Sequence, residues 1–348
     1  MTEQKRAARP RRSSWQLKGQ SGYILAIFVV TAALMPLSRF ISPSLGSWST
    51  VSAILVVSSI LTLVGFGQGL VILVGELDLS LPSTISLAGV LTTAWLGSSP
   101  SPLTFLWILV IAALVGLFNG VGVTVLKVPS FIMTLGTQLI VAGIALGYTK
   151  GTVPGSTPDF LASLMLGHWL GIPIPIYLLV GAAVVGVVIQ SYTAFGRRLY
   201  AVGSNRATAH IAGVHVNRVV TGAFVVSAVC AALTGMLLVG YGGGATLNMG
   251  DAYFLSSIAV VVVGGSSILG GRGSYLGTVV AAIFLTTIST LIQSLGISQG
   301  WQTFIYGFLI VAVVGLLNRE LYSRVVVAMR RRGQPSRGST PLGQAAGS

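Results

Sequence analysis

Ten runs of apolar residues, each close to the length that crosses a lipid bilayer, recur along this chain and leave little of it for anything else. They cover roughly residues 23–41, 51–75, 83–98, 103–126, 130–148, 174–191, 218–241, 252–270, 274–295 and 301–318. About 20 apolar residues in a helix match the hydrocarbon thickness of a membrane. Backbone N–H and C=O groups find no water there, and a helix satisfies them within its own segment. The expected fold class is therefore an all-α membrane protein with about ten transmembrane helices. The run 83–98 is short, so a tilted, broken or partly re-entrant segment is expected at that point.

Charge supports the same reading. Only 7% of the 348 residues are charged and 53% are hydrophobic, with a mean hydropathy of +0.88. A soluble domain carries about a quarter charged residues. The net charge of +14 does not point to nucleic acid, because the basic residues gather at the two ends and in one central loop. With the N-terminus placed in the cytoplasm, eighteen Lys and Arg fall inside and only Arg39 and Lys150 fall outside. That is the positive-inside pattern, and it places both termini in the cytoplasm. The expected organisation is a basic cytoplasmic tail over 1–20, a transmembrane domain over 21–319 and a disordered cytoplasmic tail over 320–348. The first apolar run reads as a retained helix rather than a cleaved leader.

Several chemistries lack the residues they need. The single cysteine, Cys230, allows neither an internal disulfide nor a cysteine-based metal site. The histidines 168, 210 and 215 form no zinc motif. The glycine-rich run from Gly264 to Gly273 lacks the Gly-Lys pair of a phosphate-binding loop, and no Gly-Lys occurs in the chain. If ATP drives this protein, a second chain binds it. The acids near spans are Glu76 and Asp78, at the inner end of the second helix, and Asp251, at the outer end of the eighth. None sits at the midplane, where ion-coupled carriers place them.

Two connections are long. An outer loop runs over about 149–173 and an inner one over about 192–217. In the inner loop a short helix is expected from Ser204 to Gly213, with Ser204 as its N-cap. A short amphipathic helix on that face is a docking element for another protein. Most of the 45 glycines are read as close packing points between helices.

Five stretches in register carry a resemblance. Gly75-Glu76-Leu77-Asp78-Leu79-Ser80 is similar to a Gly-x-Ile-Asp-Leu-Ser motif. Gly116-Leu117-Phe118-Asn119-Gly120 follows, then Val128-Pro129-Ser130-Phe131-Ile132-Met133-Thr134-Leu135-Gly136-Thr137. The fourth runs from Thr193 through Gly196-Arg197-Arg198 to Gly203-Ser204-Asn205, and the fifth is Gly264 to Ser274. Together, from about residue 50 to 319, they resemble the permease subunits of ATP-binding-cassette importers for simple sugars of the ribose, xylose and arabinose type. The chain departs from that pattern at Ser130, where the family has a second proline, and at Tyr253-Phe254-Leu255-Ser256, where acids are frequent.

The resemblance implies a type II importer permease fold in a bacterial inner membrane. It also implies a non-catalytic subunit without cofactor or metal, with ATP hydrolysed on a separate ATPase chain. Further partners implied are an extracytoplasmic sugar-binding protein and a second permease subunit, identical or different. Arg197, Arg198, Gly203, Asn205, Ala209 and Gly213 map onto the coupling segment. A neutral sugar needs small polar groups along its path, and Asn119, Thr134, Thr137 and Gln138 are expected to supply them. The alternative for these four is hydrogen bonding between helices, worth about 0.6 kcal/mol each. Asp78 is expected to satisfy a broken-helix backbone or a helix N-terminus, with an ion pair to Arg197 or Arg272 left open. Permeases for branched-chain amino acids or nucleosides share the general architecture, and a self-contained ion-coupled carrier is the remaining alternative.

Overall fold

The computed structural model describes residues 14–40, 45–97 and 100–317. Among them lie α1 (Ser14–Leu37), α2 (Trp48–Leu73), α3 (Leu81–Leu91), α4 (Pro102–Thr124), α5 (Ser130–Thr149), α6 (Asp159–Leu166) and α7 (Ile174–Tyr192). They continue as α8 (Ala194–Ser204), α9 (Arg206–Ile211), α10 (Val216–Gly242), α11 (Tyr253–Val263), α12 (Tyr275–Ser294) and α13 (Gln299–Leu317). Two short strands, β1 (His168–Trp169) and β2 (Ile172–Pro173), pair antiparallel.

Each of the ten apolar runs contains helix among the described residues. Among the described residues six helices, α2, α4, α5, α7, α10 and α12, are long and apolar enough to cross a membrane alone. Shorter apolar stretches lie in α1, in α3 with the turn that follows it, in α11 and in α13. The chain is a multi-pass, all-α membrane protein. Side chains cap some of the helices, whose first N–H groups lack intrahelical partners. Ser47 accepts from Thr50 N at 3.3 Å and Ser101 from Leu103 N at 3.2 Å.

The core sits on α10. It packs against α4, α2, α3 and α6, while α1, α11, α12 and α13 gather around the opposite side of α2. Gly116 and Gly120 let α4 approach: a Cβ on Gly116 would stand 2.5 Å from the Phe224 carbonyl oxygen, and one on Gly120 would stand 2.6 Å from the Thr221 Cα. Without a hydrophobic drive between helices in lipid, such small-residue contacts are how backbones come together. Burial separates centre from periphery. The apolar windows of α2, α10 and α12 are 61–67% buried, against 22% for α5 and α7.

The short run near residue 90 is a broken element. Helix α2 stops at Leu73, Gly75 turns the chain at φ +80°, and α3 starts with Pro82 in its first turn. After Leu91 the backbone widens into a π turn over Thr92–Leu96. The Thr92 hydroxyl donates to the Ala88 carbonyl at 2.6 Å and Thr93 to Val90 at 3.0 Å. All of α3 is buried, which meets the rule that irregular backbone survives at membrane depth only inside protein or beside a cavity.

Several expectations are refined. The run 252–270 is helical only to Val263, because Gly265, Gly270 and Gly271 adopt left-handed φ values of +88°, +84° and +73° that turn the chain. The inner loop holds two helices rather than one. Ser204 closes α8, and the N-cap of α9 is Asn205, whose side chain accepts from Thr208 N at 2.9 Å. The outer loop contains α6, which buries Leu161 and Met165. Helix α1 begins at Ser14, within the segment read as a tail, and the tail over 320–348 lies outside the described residues.

Candidate functional site

A connected set of polar side chains gathers in the break between α2 and α3, at the end of the bundle that carries Arg197, Arg198, Arg206, Arg218 and Arg272. Asp78 is 2% exposed there. A buried carboxylate needs donors in place of water, and three converge on it. Its Oδ1 accepts from Ser80 N at 3.1 Å and from Ser80 Oγ at 2.6 Å; its Oδ2 accepts from Ser227 Oγ at 2.8 Å. The aspartate therefore ties the start of α3 to the middle of α10.

The chain of bonds continues outward. Asn119 on α4 donates its Nδ2 to Ser80 Oγ at 2.8 Å, and Thr137 on α5 donates to Asn119 Oδ1 at 2.6 Å. Thr134 donates to the Ser130 carbonyl at 2.8 Å and lies 3.4 Å from the Leu77 carbonyl, while Leu77 N donates to Ser130 Oγ at 3.3 Å. The break is thus laced to α4, α5 and α10. Of the four expected pathway residues, Asn119, Thr134 and Thr137 join this lattice. Gln138 lies beside it on α5, and its buried Oε1 has no hydrogen-bond partner among the described residues.

Asp78 pairs with neither Arg197 nor Arg272. The ion pair at this end, the one found among the described residues, joins Glu76 to Arg206. Arg206 also donates to the Val74 carbonyl at 3.1 Å. The aspartate turns inward onto hydroxyls, whereas the glutamate two residues earlier reaches the solvated side, where a guanidinium costs little to hold.

Helices α8 and α9 form a hub over the break. Helix α8 is amphipathic, burying Gly196, Leu199 and Val202 and exposing Arg197 and Arg198. Thr193 caps it by accepting from Gly196 N at 3.1 Å. Gly203 lies so close to the end of α2 that a Cβ would stand 1.8 Å from the Leu73 carbonyl oxygen and 2.5 Å from Gly271 N. That same Leu73 carbonyl accepts from Gly271 N at 2.9 Å, and Tyr200 donates its hydroxyl to the Gly273 carbonyl at 2.7 Å. Ala209 is the buried residue of α9, and Gly213, at φ +80°, follows that helix with Gly213 N on the His210 carbonyl and Val214 N on the Ala209 carbonyl. Two sequence motifs some 60 residues apart, the fourth and the fifth, therefore meet each other and the first.

Ser227, the part Ser80 plays and the pairing of Glu76 with Arg206 were not read from the sequence. Ser80 had a local signal, since Asp-x-Ser before a helix is a turn that hydrogen-bonds itself. Ser227 had none, standing 149 residues from its partner.

Comparison with known proteins gives a consistent picture. The profile of the family described as "Branched-chain amino acid transport system / permease component" matches residues 50–314. The ribose import permease protein of Haemophilus influenzae is 32% identical over 292 residues, covering 82% of this chain and 90% of that protein. The autoinducer 2 import system permease protein of an Enterobacter species is 35% identical over 298 residues, 85% of this chain and 84% of that protein. The xylose transport system permease protein of Escherichia coli K12 is 27% identical over 375 aligned positions, 87% of this chain and 94% of that protein. No solved structure matches the chain significantly.

Proposed function

We propose, from the premise that this chain belongs to the permease components of ATP-binding-cassette importers, that it conducts a simple sugar across a bacterial inner membrane. Relatives named for ribose and xylose import support the sugar. The basic end faces the cytoplasm by the positive-inside rule. The subunit is non-catalytic. An ATPase chain binds beneath it, an extracytoplasmic binding protein delivers substrate above it, and a second permease subunit stands beside it.

One observation carries the mechanism: the solvent-facing hub of α8 and α9 is bonded directly to the break between α2 and α3. Its outer surface presents Arg197, Arg198 and Ile211, the last 87% exposed. Ile211 is the large apolar side chain this polar face leaves bare, and we assign it as the partner's anchor contact. When the ATPase pair closes, α8 and α9 move with it. Gly203 against Leu73, Tyr200 on Gly273 and Arg206 on Glu76 carry that motion to α2, α3 and the loop after α11. Switching between outward- and inward-facing states is a rigid-body shift of such packed elements.

Asn119, Thr134 and Thr137 then border the cytoplasmic end of the path, as the frame that holds the break in register, and Gln138 offers its unpaired oxygen to the sugar. Helix α5 is assigned to the second subunit, since it is the least buried of the long helices together with α7, and Gly136, Gly143 and Gly147 face open space.

The test is co-purification. Gentle solubilisation of tagged chain from native membranes is expected to recover an ATPase with phosphate-binding motifs at comparable abundance. Ile211→Asp is expected to reduce that recovery about tenfold, the effect of about 1.4 kcal/mol at an interface anchor. Its own abundance in the membrane stays unchanged, because the side chain touches little of the fold. Equal recovery of the ATPase by the variant contradicts docking at α9.

A further inference from the structure

On the other side of α2 from α10, a cavity of about 470 Å³ opens between α2, α11, α12 and α13. It lies toward the end opposite the basic face, where α12 finishes and α13 begins. The volume falls within the roughly 300–1,000 Å³ of small-molecule sites. No charged residue lines it. The polar groups are hydroxyls and amides: Ser256, Thr286, Ser289, Thr290, Gln293 and Gln302. Tyr253, Tyr306, Val57 and Leu61 supply apolar surface.

The direction of the hydrogen bonds decides what this lining can hold. Ser256 donates to the Ala252 carbonyl at 2.7 Å, Thr290 to Thr286 at 2.9 Å and Ser289 to Leu285 at 2.9 Å. The Gln302 amide nitrogen is 2.6 Å from Ser289 Oγ and 3.1 Å from the Tyr306 hydroxyl, which itself bonds Ser289. Many of the protons are thus spent inside the protein. Hydroxyl lone pairs and amide carbonyls remain, so the wall accepts more than it donates. An anion meets repulsion there, and an amino acid zwitterion finds neither of its counter-charges. A neutral molecule with several O–H donors and a carbon face pairs with both kinds of surface.

Helix α2 continues the same face inward. Seven residues beyond Leu61, two helical turns, stands Gln68, fully buried, with neither its nitrogen nor its oxygen hydrogen-bonded among the described residues. Gly65 lies between them on the side of α11 and α12, where an added Cβ would stand 2.9 Å from Val260 and 2.8 Å from Thr278.

We propose that this cavity is an outer binding site for a monosaccharide-sized, neutral polyol, and that Gln68 is the next polar contact along the same face of α2. The choice of probe rests on the sugar-permease reading, and the measurements separate the two. Purified chain in detergent is titrated with radiolabelled D-ribose and D-xylose, with L-leucine as competitor. Saturable binding of either sugar is expected, unaffected by L-leucine. Ser256→Leu, which fills the cavity, and Gln302→Leu, which removes its amide, are each expected to weaken binding at least tenfold while ATPase co-purification and thermal unfolding stay as in the parent. Absent sugar binding, displacement by L-leucine, or unchanged affinity in both variants overturns the site, even where the ATPase still co-purifies. Gln68→Leu separates passage from packing. An apolar residue in place of an unpaired amide leaves folding intact or improved, so a structural role leaves uptake unchanged. The proposal expects sugar binding retained and ATP-driven uptake at least tenfold lower, and normal uptake by Gln68→Leu removes Gln68 from the path.

Discussion

Asp78→Ala is expected to abolish uptake and to lower the amount of protein in the membrane several-fold, while Asp78→Asn retains both in large part. The alanine removes the acceptor for three donors at once: Ser80 N, Ser80 Oγ and Ser227 Oγ. A buried donor left without a partner costs about 1–3 kcal/mol. The serine hydroxyls can turn to other acceptors, but the Ser80 N–H is fixed by the backbone. The loss also travels, since Asn119 is held by Ser80 and Thr137 by Asn119. Asparagine keeps an oxygen for Ser80 N and can donate its nitrogen to Ser227 Oγ, which accepts as readily as it donates. Immunoblotting of membranes beside a transport assay reads both effects. Wild-type uptake in Asp78→Ala would remove the break from the mechanism, and equal loss in Asp78→Asn would mean that the negative charge, rather than the lattice, is what matters.

Gly203→Ala is expected to leave ATP hydrolysis running while sugar uptake falls at least tenfold. A Cβ at this position lands 1.8 Å from one backbone oxygen and 2.5 Å from a backbone nitrogen, and neither belongs to a flexible side chain. Helix α8 has to lift away from the end of α2 and from the loop after α11. Overpacking of this kind costs about 1–3 kcal/mol or more, and here the displaced contact is the one that transmits motion. Gly181→Ala on α7 is the control, because nothing lies within 4 Å of its added carbon. Helix propensity alone makes that change neutral or slightly stabilising. Coupled hydrolysis and uptake in Gly203→Ala would place transmission elsewhere in the molecule.

The elements that the sequence revealed are those whose cause is local. Each apolar run had to be helical because lipid offers its backbone no partner, and the break near residue 80 was legible because its run is too short and glycine and proline flank it. The order of the five motifs identified the permease family. What escaped has long-range causes. Nothing near Arg206 marks Glu76, 130 residues away, as its partner. Ser227 sits in an apolar stretch like any helix serine, and its role depends on which face of α10 meets the break. The capping of α9 by Asn205 rather than Ser204 turned on one residue of register, within the ordinary imprecision of helix ends. The run that α11 begins was overestimated, because valines followed by glycines read as one apolar stretch until the left-handed backbone of Gly265 is seen.

The most direct measurement of the whole account is energised uptake in proteoliposomes. The chain is reconstituted with its co-purified ATPase and sugar-binding protein and assayed with labelled D-ribose and D-xylose. Uptake of one of them that requires ATP on the side of the ATPase, needs that subunit, and persists when a protonophore collapses ion gradients is the predicted result. Sugar uptake by the chain alone, driven by an ion gradient without ATP, would contradict it.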